Sequence, residues 1–299
     1  MSIKEDIIWF KQQFGSDIQA AIEDTPFRTD LFVAIALQET GYLWRNIYKK
    51  LDRETGESIA VAKVLELCVG DTLDAPNRSA FPKTKDDLLS EANGDEMFAV
   101  ARAALGAIGE YNETFGNIFD SKPNKFCHGF GIFQYDIQFF KENPEFFLAK
   151  KWFSFDECLN LCLRELQQKL VRTYGRNKTS LTDTEMVYVG IAYNRGSVDL
   201  SRGFKQGFKD ESGKFYGEYL WEYLQLAKNT SLTSRKYKVN ARSGLNVRSG
   251  PGLEFNVIDR LPFGSEVFIG TRQNDWIAVD LQGDGAIDGF VFGSFLNQI

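Results

Sequence analysis

The chain contains one histidine, His128, among 299 residues. That scarcity rules out a metal centre built on several imidazoles, the usual zinc-hydrolase design. Cysteine is also sparse: Cys68, Cys127, Cys158 and Cys162 are too few for a disulfide-dense scaffold. Cys158 and Cys162, four apart in a helical pattern, share a face and read as buried thiols. The even count leaves one or two disulfides open. Positive charge is not in excess. A formal net charge of −6 argues against a phosphate-tracking surface, so no nucleic-acid partner is expected. No segment approaches the roughly 18 uninterrupted apolar residues of a membrane span, so no integral membrane segment is expected. The opening Met-Ser-Ile-Lys-Glu-Asp lacks the basic region, apolar stretch and cleavage site of a secretory leader. Synthesis as a cytoplasmic soluble protein is the expectation, with a monomer as the default state.

What is present is ordinary for a globular protein, 43% hydrophobic and 25% charged, and the length admits two domains. Up to about residue 228, apolar residues recur at helical spacing, as in Leu159-Leu163-Leu166-Leu170 and Tyr219-Tyr223-Leu226. Helices are predicted over about 3–14, 28–40, 58–68, 94–114, 154–173, 182–193 and 215–228. The polar stretch 229–236 then reads as a linker. Beyond it come short alternating runs, Leu245-Asn246-Val247-Arg248, Val267-Phe268-Ile269 and Trp276-Ile277-Ala278-Val279, punctuated by glycine turns. That texture predicts a small antiparallel β-barrel over 237–299. The fold class expected is α+β, a mostly α-helical domain over 1–228 followed by the barrel.

Three short segments carry chemistry. The first ends a predicted helix in Gln38-Glu39-Thr40-Gly41, with Asp30 available as its N-cap and Gly41 as its stop. Phe32, Ile35, Ala36 and Glu39 share one helical face, so a carboxylate projects from an apolar stripe. Burial there raises a carboxyl pKa, as a proton donor at neutral pH requires. The second, Gly129-Phe130-Gly131-Ile132-Phe133-Gln134, strips side chains from one face of an extended segment. Such a segment either admits a ligand close to the backbone or packs tightly on a helix. The third, Ala192-Tyr193-Asn194-Arg195-Gly196, closes an apolar helix at Gly196.

In this order the three segments resemble the signature motifs shared by goose-type lysozymes and soluble lytic transglycosylases. The resemblance covers about residues 28–200 and implies a lysozyme-like catalytic domain acting on peptidoglycan glycan strands. It makes Glu39 the general acid at the β-1,4 bond between N-acetylmuramic acid and N-acetylglucosamine. Gly131 and Gln134 line the sugar cleft, Tyr193 orients Glu39, and Asn194 contacts the sugar. Asp136 matches an aspartate that positions water in the goose-type pattern, with Asp120 second in line. Hydrolysis by inversion requires a second carboxylate about 6.5–9.5 Å from the acid. Lytic transglycosylases instead use one acid, and the substrate's own hydroxyl closes an anhydro ring. The Asp136 match favours hydrolysis. The sequence departs from the goose-type pattern in the roughly ninety residues between Glu39 and the glycine segment, an insertion without an assigned role. No cofactor is implied.

The C-terminal stretch is similar to bacterial Src-homology-three-type domains, most specifically in Leu245-Asn246-Val247-Arg248-Ser249-Gly250-Pro251. Gly264, Trp276 and Gly289-Phe290-Val291 extend the likeness, with Phe290 where tryptophan is common. That resemblance implies binding to cell-wall peptide. Without a leader, access to the wall or periplasm is expected through phage-type release or a dedicated secretion machine. The loop 280–289 holds three aspartates among glycines, but its spacing does not fit the helix-flanked calcium loop, and Asp-Gly has turn-forming reasons of its own. No metal site is expected.

Rival readings remain. A cysteine amidase needs a Cys–His pair, yet Cys127 and His128 are adjacent in an extended segment and point to opposite faces. His128 would have to meet Cys68, Cys158 or Cys162. The non-enzymatic rival is a wall-binding protein with an inactive lysozyme-like domain. Chitin, which also carries N-acetyl groups, is a further candidate substrate.

Overall fold

The computed structural model describes residues 3–52, 57–72, 80–230, 236–281 and 287–299. The chain divides into two compact units, Ala21–Gln225 and a second that joins Met1–Ala20 to Leu226–Ile299. The first twenty residues group with the C-terminal part. Most of the expected linker, 231–235, lies outside the described residues.

The larger unit is helical because its apolar residues follow the helical period. Helix α1 (Ile3–Ala21) leads into it, followed by α2 (Thr29–Asp52) and α3 (Glu57–Leu67). Asp30 lies inside the first turn of α2, not at its cap, and Arg28 pairs with both Asp30 and Asp183. The helix also runs through Gly41 instead of stopping there. Leu43, Trp44 and Ile47 continue the buried stripe, and that packing outweighs the modest cost of one mid-helix glycine. Glu39 therefore projects from the middle of a long helix.

The insertion after Glu39 holds the rest of α2, then α3, strand β1 (Val69–Gly70), α4 (Lys85–Leu89), α5 (Gly94–Gly109) and α6 (Glu113–Ser121). The single helix predicted over 94–114 is broken by Asn112, whose side chain accepts from the amides of Thr114 and Phe115 and so starts α6. Residues 73–79 of the insertion lie outside the described residues.

The glycine segment then forms β2 (Gly129–Phe130) and β3 (Tyr135–Asp136). With β1 they make a three-stranded antiparallel sheet ordered β1-β2-β3, in which Gly70 faces Gly129 and Gly129 faces Asp136. Rings of Phe130, Phe133, Tyr135, Phe147, Trp152 and Phe155 pack around it at centroid distances of 4.9–5.9 Å. Helices α7 (Pro144–Leu148), α8 (Phe155–Tyr174) and α9 (Asp183–Arg195) follow. Thr182 and Glu185 close a capping box on α9, and Gly196 ends it with a left-handed φ of 87°. Helix α10 (Tyr216–Asn229) completes the set.

In the second unit, Lys11 of α1 donates to the carbonyls of Ala227 (2.7 Å) and Thr230 (3.2 Å), satisfying acceptors at the end of α10. Strands β4 (Lys236–Val239), β5 (Leu245–Arg248), β6 (Val257–Leu261), β7 (Glu266–Gln273), β8 (Trp276–Asp280), β9 (Gly289–Phe292) and β10 (Leu296–Gln298) form one antiparallel sheet. Its order is β10-β4-β7-β8-β9-β5-β6. The α+β class holds, about half helix with an antiparallel sheet at the C-terminal end. The closed barrel does not: β10 and β6 remain edges among the described residues. Val239, Leu245, Val247, Val267, Val279 and Val291 supply the core, alternating inward as their period of two requires. Trp276 is outside that core, half-buried with its ring edge-on to Phe292. The turn residues 282–286, with the aspartate-rich segment considered for calcium, lie outside the described residues.

Candidate functional site

Glu39 stands where the buried face of α2 meets the small sheet. Phe32, Ile35 and Ala36, one and two turns earlier, are fully buried. Burial pushes the Glu39 carboxyl up from its ordinary value to about 7, and the charges of Asp71 and Glu165 push the same way. A hydrogen bond from the Tyr216 hydroxyl to Glu39 Oε1, at 2.9 Å, opposes them. The result is a carboxyl that holds its proton up to neutrality yet keeps one donor aimed at its anion. That is the working range of a general acid.

Thr40, the next residue, explains the Glu-Thr pair. Its buried hydroxyl donates to the Ile132 carbonyl at 2.8 Å and accepts from Trp44 Nε1 at 2.8 Å. This bond ties α2 to the glycine segment and fixes the acid relative to it. The glycines themselves serve internal packing. A Cβ on Gly129 would lie 2.2 Å from Gln134 Oε1, and one on Gly131 would lie 2.5 Å from Cys158 Sγ of α8. Gly131 also has a φ of 79°, which disfavours any side chain. Gln134 folds back over the strand, donating to the carbonyls of Gly131 (2.9 Å) and Cys68 (3.3 Å).

The resemblance makes Tyr193 the residue that orients Glu39, but its hydroxyl donates to the Phe133 carbonyl at 2.7 Å. It holds the third motif to the second, and Tyr216 is the residue that bonds the acid. Asn194 is exposed, and its Oδ1 lies 3.1 Å from where a Cβ of Gly207 would sit; Tyr216 Cβ is 2.6 Å from the same point. Asn194 thus stands beside the tyrosine that serves Glu39.

Asp136 caps the short helical turn after β3, accepting from the Gln138 amide at 2.7 Å. Asp120 is exposed on α6, where its charge acts on Arg102 of α5. The carboxylates whose charges reach Glu39 are instead Asp71, just after β1, and Glu165 on α8. Glu165 is half-buried, its own pKa raised by burial and held down by Lys169, whose ammonium lies 3.3 Å away. Sequence reasoning missed Tyr216, Asp71 and Glu165. A φ of 47° at Asp71, rare outside glycine, is a backbone feature no motif announces. Glu165 had a faint signal, lying three residues after Cys162 and seven after Cys158 on their helical face.

The thiols do not form a nucleophilic site. All four are buried and unbridged. Burial raises each pKa, that of Cys158 to about 12, so the thiolate is suppressed at neutral pH. His128 is also buried, its ring 4.7 Å from that of Phe126. Among the described residues no cluster of His, Cys, Asp or Glu is arranged to hold a metal ion. No helix of the described residues is long and apolar enough to cross a membrane.

Comparison with known families places a bacterial SH3 domain at residues 243–297. The C-terminal part of the second unit is therefore a bacterial SH3-type domain, as its sequence resemblance implied. Neither the curated proteins nor the solved structures gave a match to the chain.

Proposed function

We propose that the Ala21–Gln225 unit cleaves the β-1,4 glycosidic bond between N-acetylmuramic acid and N-acetylglucosamine in peptidoglycan, with Glu39 as general acid. One observation carries the reading: a carboxyl set on an apolar helix face, with a pKa of about 7 and the Tyr216 hydroxyl donating to it at 2.9 Å. The bacterial SH3 domain supports it, since such domains fit proteins that work at the cell wall. Glu39 donates its proton to the bridging oxygen as the bond to the anomeric carbon breaks. In hydrolysis, water adds to that carbon and gives up a proton to a carboxylate.

A second reading is favoured by a specific observation. The carboxylate matched to water positioning, Asp136, is engaged with the Gln138 amide as a helix cap. In a lytic transglycosylase no such partner is needed. The sugar's own hydroxyl attacks the anomeric carbon, and its proton returns to the Glu39 carboxylate that gave one up. The residues that would hold a glycan in either case are Gln134 and Asn194, with Tyr193 bracing the glycine segment behind them.

The C-terminal domain binds wall peptide in this proposal, through outward-facing rings of Trp276, Phe292 and Phe295. Trp276 and Phe292 are 5.6 Å apart, Phe292 and Phe295 6.0 Å, and the Arg248 guanidinium lies 5.9 Å from the Trp276 ring.

Purified peptidoglycan and mass spectrometry of released sugars test the proposal. Reducing muramic ends mark hydrolysis and anhydromuramyl ends mark ring closure. Glu39→Gln is expected to abolish turbidity clearing while sedimentation with the wall persists. A wild-type chain that sediments with the wall and never releases sugars is a binding protein, and the enzymatic reading fails.

A further inference from the structure

Most large side chains near Glu39 are buried, which makes two exceptions informative. Tyr42 is 52% exposed and Phe208 is 67% exposed. Tyr42 follows Glu39 by three residues on α2, so the two side chains leave the helix on neighbouring positions of one face. Glu39's charge acts on the Tyr42 hydroxyl, as does that of Asp71. The hydroxyl end is tucked in: a Cβ on Gly70 would lie 3.3 Å from Tyr42 Oη and 3.1 Å from Gln134 Oε1. The ring thus rests its hydroxyl end beside Gly70 and Gln134 while half of its surface meets water. Phe208 flanks the acid's other partner. Its carbonyl accepts from the Tyr216 amide at 2.8 Å, while the Tyr216 hydroxyl reaches Glu39. Gly207 between them abuts both Tyr216 and Asn194.

We propose that Tyr42 and Phe208 are the stacking platforms of two sugar subsites, one on each side of the bond that Glu39 protonates. This rests on the glycan-cleaving reading above and names the residues that would give it substrate length and register. The chemistry of the occupant follows from the rings. A pyranose presents a face of C–H bonds that buries well on an aromatic π-surface, while its rim of hydroxyl and N-acetyl groups needs polar partners. Gln134 beside Tyr42 and Asn194 beside Gly207 provide such partners at the two places. Exposed rings scattered singly are common on proteins and mean nothing by themselves. These two adjoin the acid and the residue that bonds it.

The test uses the full chain carrying Glu39→Gln, which binds without cutting, and the N-acetylglucosamine tetramer as probe in titration calorimetry. Tyr42→Ala and Phe208→Ala, each added to that background, are expected to weaken binding about tenfold, equivalent to about 1.4 kcal/mol. Tyr42→Trp, which keeps a larger ring face, is expected to retain affinity within about threefold, which a loss through misfolding would not allow. In the chain with Glu39 intact, the alanine variants should raise KM and leave kcat nearly unchanged. If the Glu39→Gln chain binds the tetramer and both alanine variants bind as tightly, the platform assignment is overturned and the catalytic reading stands. If that chain fails to bind and the wild type releases no sugar, the catalytic reading falls and takes the platforms with it.

Discussion

Replacing Tyr216 by phenylalanine isolates the one hydrogen bond that the Glu39 carboxylate receives from a neighbouring ring. The bond favours the ionised form, so it lowers the pKa that burial raises. Removing it must raise the pKa further. A hydrogen bond to a charged group contributes about 1.5–3 kcal/mol, and one pKa unit corresponds to about 1.4 kcal/mol, so a rise of roughly one unit is expected. The sign in the assay follows from the role. A general acid must be protonated, so activity is present below the pKa and lost as pH rises through it. For the wild type that basic limb should fall near pH 7, and for Tyr216→Phe about one unit higher. The measurement is kcat/KM for peptidoglycan clearing across pH 5–9 in buffers of equal ionic strength. Tyr193→Phe is the control, because its hydroxyl serves the Phe133 carbonyl, and the limb should stay in place. A Tyr216→Phe limb that is unmoved or shifts downward refutes the assignment of Glu39 as the proton donor governed by this bond.

Three further outcomes are expected. Because burial disfavours the Glu39 anion, the stability it contributes is full below pH 4.5 and lost as pH rises through about 7. Glu39→Gln should therefore match the wild type near pH 4 and exceed it at pH 8 by about 3 kcal/mol in urea unfolding. Thr40→Val strands the Ile132 carbonyl and the Trp44 indole N–H in a buried place, so a loss of about 1–3 kcal/mol is expected; less than half a kcal/mol would show that the tie is dispensable. Trp276→Ala with Phe292→Ala should reduce sedimentation with purified wall severalfold while the released sugars stay the same. Undiminished sedimentation would move wall binding to another surface.

How legible was this site in the sequence? The carboxyl was, because Phe32, Ile35, Ala36 and Glu39 obey a local period, and a local period survives into the structure. The stop of α9 at Gly196 was legible for the same reason. Gly131 needed the structure to distinguish its two readings, and a Cys158 sulfur 2.5 Å from its missing Cβ shows helix packing. Gly41 does not stop α2, because the buried stripe continued by Leu43, Trp44 and Ile47 outweighs one residue's propensity. Asp136 was matched by its place after the glycine segment, and its hydrogen bond to Gln138 is local enough to have been foreseen as a cap.

By itself, the sequence determined what is written in short-range periods: the helical character of the first 228 residues, the strands around 245–248, 267–269 and 276–279, and the apolar face of α2 that carries Glu39. The tertiary structure alone decided the acid's company. Tyr216 bonds Glu39 across 177 positions of chain, Asp71 arrives just after β1 of the insertion, and Glu165 arrives on α8. The tertiary structure also left the C-terminal sheet with two edges in place of a closed barrel. The physical reason is the same in each case. Hydrophobic periodicity is a property of neighbours along the chain, whereas a donor's reach, a charge's influence and a strand's pairing depend on distances that only the packed chain sets.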